Sequence, residues 1–260
     1  MQPQLDFYDF GDEVTAFSTT RHGGFSKGNY AAFNINRYCG DSEENIFKNR
    51  ESLCSLLGIS DDCLVMPHQV HLANVAKIDE AFLAFGADER QEVMEGVDAL
   101  MTNLRGVCIG VSTADCIPVL LYDQEQHAVC AIHAGWRGTV KRIVVKAVEM
   151  MTEVYGTHPR HLVAQIGPGI HLESFEVGDE VYDAFAKEGF SMEQISVKKE
   201  KWHINLLECN RLQLLSTGMP ATQIKVSPVC TFMRSDDYFS ARKLGISSGR
   251  IFTGVMLSSK

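Results

Sequence analysis

The chain has 260 residues, 45% of them hydrophobic and 22% charged, the make-up of an ordinary globular protein rather than a disordered or fibrous one. With 24 basic against 33 acidic residues the formal charge is −9, which repels nucleic-acid backbone and anionic membrane surfaces, and no run of Lys or Arg makes a local exception. Small molecules are the expected partners, with no nucleic acid and no membrane.

Residues 14–20 read as a first strand, followed by a turn at Arg21-His22-Gly23-Gly24. Residues 43–58 carry acids at the start, apolar residues at helical spacing and a terminal glycine, which predicts a helix. Short strands are expected at 63–66 and 70–78, broken at Pro67, and residues 82–96 form a polar excursion expected as a loop or lid. Four β-type segments, 97–102, 107–113, 118–123 and 127–134, are expected to make one central sheet. Along the last, His127, Val129, Ala131 and His133 share one face and Ala128, Cys130 and Ile132 the other, which puts His133 at the strand's exit. Apolar residues from Val140 to Met151 follow at helical spacing, so Gly135-Trp136-Arg137-Gly138 is expected as the turn feeding a helix N-terminus, where amides favour an anion. A strand at 161–166, helices at 177–189 and 206–215, a short strand at 223–226 and a final strand at 250–257 complete the reading. No linker divides the chain, so residues 1–260 are expected to form a single α/β domain.

The N-terminal residues lack the charged and then apolar pattern of a secretory signal, and no apolar run is long enough to span a bilayer, so a cytoplasmic location is expected. The eight cysteines are scattered and are then expected as reduced thiols. Cys108 and Cys130, inside apolar runs, read as small core residues. Cys116 differs, with Asp115 before it and Pro118 close behind.

Three segments concentrate the chemistry: Gln69-Val70-His71, Thr113-Ala114-Asp115-Cys116 and His133-Ala134-Gly135-Trp136-Arg137-Gly138. Each sets an imidazole or a thiol beside small residues that let the backbone turn. Two histidines and one cysteine make a three-ligand set of His71, Cys116 and His133, which for zinc leaves one tetrahedral position free for water or substrate. His68 would point away from His71 if the segment were a strand, and reads as a hydrogen-bonded or solvent-facing histidine. Asp115 either braces the Cys116 turn or moves a proton. Arg137, beside His133 at a helix start, is a phosphate candidate, and Arg21 and Arg242 are further ones.

These motifs, with Asn49-Arg50, Ile166-Gly167-Pro168, Phe175-Glu176-Val177-Gly178 and Thr253-Gly254, resemble the YfiH family, also called polyphenol-oxidase or laccase-domain proteins and regarded as purine nucleoside phosphorylases. The resemblance implies a metal site at His71, Cys116 and His133. It also implies phosphorolysis of adenosine, inosine and methylthioadenosine, with adenosine deamination as a second activity. The implied fold is a layered α/β sandwich of mixed sheets flanked by helices, similar to the cysteine-hydrolase domain of cytotoxic necrotizing factors. One departure stands out: the family often has Ser-Tyr-Arg where this chain reads Ser240-Ala241-Arg242.

Zinc is the expected cofactor, with copper(II) as the alternative, and purine nucleosides and phosphate are the expected partners. Two other activities use the same residues. Cys116 as nucleophile with His133 as its base makes a Cys–His hydrolase or deamidase acting on peptides, as in peptidoglycan editing. A copper-dependent polyphenol oxidase needs many imidazoles in close pairs, whereas this chain has nine histidines and no His-x-His.

Overall fold

Alternation along the strand Ala128–Ala134 sends Ala128, Cys130, Ile132 and Ala134 into one apolar core and Val129 and Ala131 into another. All seven residues are buried, so this strand is covered on both faces. The computed structural model, which describes residues 1–259, supplies the two covers. On one side lie the helices Ile143–Tyr155 and Leu206–Ser216; on the other lies a second sheet.

The first sheet has six strands in the order Ile224–Val226, Leu162–Ile166, Ile117–Asp123, Ala128–Ala134, Ala99–Thr102 and Val75–Lys77. Its middle pairings are antiparallel and its two edge strands run parallel to their neighbours. The second sheet has five strands, Leu5–Tyr8, Val14–Thr19, Ile251–Leu257, Cys108–Thr113 and Leu64–Val65. Its outer face buries Phe17, Phe33 and Phe252 against Leu53 and Cys54 of the helix Glu43–Leu57. Complete burial of each such ring stabilises the fold by about 1.5–3 kcal/mol. Gly110 and Gly254 pair across this sheet and leave room for the Phe252 ring, since a Cβ on Gly110 would stand 2.2 Å from Phe252 Cζ. The layers therefore run helix, sheet, sheet, helix, with a small sheet of Glu176–Val177, Trp202–Ile204 and Ser196–Lys198 to one side.

The layered α/β sandwich expected from the sequence is the observed fold, and all eight cysteines are free thiols. No helix among the described residues is long and apolar enough to cross a membrane.

Several local expectations change. Of the four segments assigned to one sheet, Cys108–Thr113 belongs to the five-stranded sheet, because the chain crosses between layers at Ala114-Asp115-Cys116. The strand expected at 70–78 shrinks to Val75–Lys77, since the Asp98 carboxylate accepts from the amides of residues 70 to 72 and takes those donors from any ladder. The excursion at 82–96 holds two short helices, Glu80–Ala84 and Ala87–Met94, the first capped by Asp79 and the second by Glu89 reaching back to the Gly86 amide. Arg142 at φ 62° splits the helix expected from Val140, leaving a short turn of helix, Trp136–Val140, before Ile143–Tyr155. The expected helix at 177–189 spans Asp179–Lys187, because Glu176–Val177 pairs as a strand with Trp202–Ile204.

Candidate metal centre

His133 is the last residue but one of the strand Ala128–Ala134. Its Nδ1 lies 2.7 Å from Asp98 Oδ1, a fully buried carboxylate, and its amide donates to the Asp98 carbonyl at 2.8 Å. An ionised carboxylate only accepts, so Nδ1 carries a proton, and Nε2 is the nitrogen left for a metal or for the Cys116 sulfur.

His71 comes from the loop before Val75–Lys77 and sits at φ 62°, a left-handed conformation that costs a non-glycine residue about 1–2 kcal/mol. Two anchors hold it there. Asp98 accepts from the amides of His71 at 3.0 Å and Leu72 at 2.7 Å. The Gln69 side chain docks on Ser112 as a strand would, its Nε2 donating to the Ser112 carbonyl at 2.8 Å and its Oε1 accepting from the Ser112 amide at 2.7 Å.

Cys116 lies at the crossover between the sheets, next to Asp115 at φ 89°. Asp115 braces this turn with both carboxylate oxygens, accepting from the Thr231 hydroxyl and from the Arg242 amide, each at 2.7 Å.

The three ligand atoms of His71, Cys116 and His133 all lie within 4.8 Å of one another. The His71 and His133 rings meet edge to face, 4.8 Å between centroids. Burial is graded across the trio: His133 is buried, Cys116 half-buried and His71 exposed. Gly135 makes the approach possible, since a Cβ there would stand 3.0 Å from both Cys116 Sγ and His71 Cδ2.

Charge is arranged to match. Burial alone would push the Cys116 thiol up, yet the His133 and His71 imidazoles outweigh it and lower the thiol to about 6. Burial alone would push His133 down, yet the Cys116 sulfur and the Asp98 carboxylate raise it to about 9. Asp98 is held below the usual carboxylate range: burial opposes its charge, but His133 and the amides of Leu72 and His71 prevail.

A pre-ionised thiolate, an imidazole with its far nitrogen fixed and a second imidazole open to solvent fit one zinc or copper ion with a free position. The trio opens into a cleft of about 300 Å³ whose walls include Tyr38, Gln69, Ser112, Ala241 and Arg250. Ala241, where the resemblance departs from its pattern, is thus part of that wall. His68, read from the sequence as pointing away from His71, nevertheless lines the cleft, stacked on Tyr38 at 4.0 Å and hydrogen-bonded to Glu95 at 2.7 Å.

The three arginines singled out lie outside the lining of the cleft. Arg21 donates to the carbonyls of Ala31 and Ser235 and covers the Phe239 ring. Arg242 donates from Nη1 to the Glu176 carbonyl and covers Phe175. Arg137 is exposed and stacks on Trp136, 4.3 Å from the ring centroid.

Sequence reasoning missed Asp98 and the docking of Gln69. The signal for Asp98 was present: an acid at the head of the apolar run Val97 to Met101 must find partners if it is buried with its neighbours.

Known proteins resemble this chain over nearly its whole length. A purine nucleoside phosphorylase from Bacteroides thetaiotaomicron is 48% identical over 94% of this chain and 92% of its own length. A protein named adenosine deaminase RL5, from an unknown prokaryotic organism, is 44% identical over 97% of both chains. The crystal structure of Bacillus licheniformis YfiH superposes with a TM-score of 0.92 at 29% identity, covering 98% of this chain and 97% of that one. YlmD from Geobacillus stearothermophilus superposes with a TM-score of 0.89 at 30% identity, covering 95% and 93%. Residues 15–258 match the family described as multi-copper polyphenol oxidoreductase laccase, and the chain belongs to that laccase-like YfiH family.

Proposed function

We propose that this protein is a metal-dependent purine nucleoside phosphorylase. It converts adenosine, inosine and methylthioadenosine, with phosphate, to the free base and the sugar 1-phosphate, and it deaminates adenosine as a second activity. The observation that carries this reading is the convergence of His71, Cys116 and His133 on one point at the wall of a cleft large enough for a nucleoside. Relatives named for the two activities support it.

In phosphorolysis a phosphate oxygen bonds to ribose C1′ as the bond from C1′ to the purine breaks, and the departing base takes up a proton. In deamination water adds at purine C6 and ammonia leaves. His71, Cys116 and His133 would hold a zinc ion, or alternatively copper(II), which would supply Lewis-acid charge. His133 and Asp98 fix the inner wall of this site, and His71 offers the solvent-side ligand. Asp115, with both oxygens engaged by Thr231 and Arg242, holds the Cys116 turn. Of the three arginines outside the cleft lining, Arg137 alone keeps its guanidinium clear of carbonyl partners, which supports it over Arg21 and Arg242 for phosphate.

Metal-loaded enzyme with adenosine and phosphate is expected to release adenine and ribose 1-phosphate, and without phosphate to release inosine and ammonia. Absence of both product pairs would contradict the reading.

A second reading rests on the order Asp98, His133, Cys116, in which a carboxylate orients an imidazole against a thiol lowered to about 6. That is the arrangement of a Cys–His hydrolase or deamidase. A chelator separates the two, since it abolishes a metallo-phosphorylase and spares a thiol hydrolase. Among the described residues one three-donor group is present, a donor set suited to a single ion rather than to a polyphenol oxidase with several coppers.

A further inference from the structure

A second cavity of about 440 Å³ adjoins the metal cleft, and Tyr38 lines both. It opens between the short helices Glu80–Ala84 and Ala87–Met94 and the segment around Leu64 to Met66. Leu64, Met66, Phe82, Phe85 and Met94 give it apolar walls. Phe85 stands 38% exposed at its rim, an aromatic surface left facing water.

Its charged lining residues are three arginines and two aspartates. Arg50 is 7% exposed; its Nε binds Asp61 Oδ1 at 2.8 Å and its Nη2 donates to the Leu64 carbonyl at 3.1 Å, while Nη1 makes no hydrogen bond among the described residues. Arg37 lines the same cavity, exposed, with no hydrogen bond or ion pair among the described residues. Arg90 is neutralised: it pairs with Asp62 and donates to the carbonyls of Phe85 and Leu83. Asp61 and Asp62, the acids of the lining, are each paired with one of these arginines. One cation is thus left over, on a chain whose formal charge is −9.

We propose that this cavity is a second ligand site, distinct from the metal cleft, that takes a small organic anion: a flat apolar body between Phe82, Phe85 and Met94, with its carboxylate or phosphate against Arg37 and Arg50 Nη1. The volume lies within the range of small-molecule sites, and the pairing of apolar walls with an uncompensated guanidinium matches an aromatic acid better than a neutral molecule. Tyr38 makes the partition, its ring stacked on His68 of the cleft, so an occupant would press on a wall the two cavities share.

The test uses the full chain, isotopically labelled at its methionine methyls and titrated with naphthoate and, separately, with the neutral naphthylmethanol. Naphthoate is expected to shift the Met66 and Met94 methyl resonances saturably and to bind at least about fivefold more tightly than the alcohol, the margin of one partly exposed ion pair. Arg37→Gln, a change at an exposed side chain without partners, is expected to weaken naphthoate by about fivefold and leave the alcohol unchanged. Ala87→Trp, at an exposed lining position, is expected to block both ligands. Unmoved Met66 and Met94 resonances, equal binding of acid and alcohol, or full naphthoate affinity in Arg37→Gln would each overturn the proposal.

Discussion

Gly135 leaves the space beside Cys116 empty: a Cβ at Gly135 would stand 3.0 Å from Cys116 Sγ, closer than a methyl group and a thiolate tolerate. The backbone there has φ −68°, which alanine adopts freely, so Gly135→Ala should fold and yet displace the sulfur or His71. We expect metal affinity to fall at least about tenfold with Tm of the metal-free protein little changed. Competition with a chromogenic chelator, beside a thermal melt, checks both halves.

Asp98 joins two ligand segments, one through the His133 ring and one through the amides of His71 and Leu72. Asp98→Asn keeps the shape but offers only one accepting oxygen and can present an amide to Nδ1, so it should lower metal affinity by about 10–100-fold. Asp98→Ala, which leaves those donors buried and unpaired, should in addition cost about 3 kcal/mol of stability. Chemical denaturation of the two variants without metal separates the effects: Ala destabilised well beyond Asn is the expected order.

The metal-free site should titrate as a coupled thiol and imidazole. Alkylation of Cys116 by iodoacetamide is expected to rise through about pH 6, well below an ordinary thiol at 9.0, and to shift upward in His133→Gln. His133, raised, contributes stability that is complete below its ordinary 6.5 and lost as pH rises through about 9. Cys116, lowered, contributes stability that is complete above its ordinary 9.0 and lost as pH falls through about 6. The two slopes offset each other between pH 6.5 and 9, so metal-free stability should be nearly flat there. It should fall in acid as Asp98, held below its usual range, takes up a proton. Urea denaturation midpoints across that range give the profile, and a steep slope near neutrality would contradict it.

How much of this was legible beforehand varied with range along the chain. Ala128–Ala134 could be read because period-two alternation is local, and the same alternation placed His133 at the strand exit. The ligand trio could be read because its members sit in motifs with small neighbours and a recognisable family pattern. What stayed hidden were contacts set by distant partners. The loop at His71 reads as strand until Asp98, 27 positions further on, takes its amides. Cys108–Thr113 looks like its neighbours in sequence and joins a different sheet, because only its pairing with Ile251–Leu257 decides the layer. The anion role given to Arg21 could not be weighed without seeing that its donors are spent on Ala31 and Ser235.

Arg137 and Arg21 should respond differently to removal. Arg137→Ala is expected to raise the KM for phosphate about tenfold with Tm unchanged, since its guanidinium stacks on the Trp136 ring and makes no hydrogen bond or ion pair among the described residues. Arg21→Ala should instead lower stability by about 2 kcal/mol through two lost carbonyl partners, with KM little altered. Steady-state kinetics against phosphate, paired with thermal melts, decide between them.

The most direct measurement is anomalous diffraction from crystals of the zinc-loaded protein. A single peak bonded to His71, Cys116 and His133 together, in the cleft that Tyr38 and Ala241 border, is the predicted result. An ion held elsewhere, or one that leaves any of these three residues unliganded, would contradict the account at its centre.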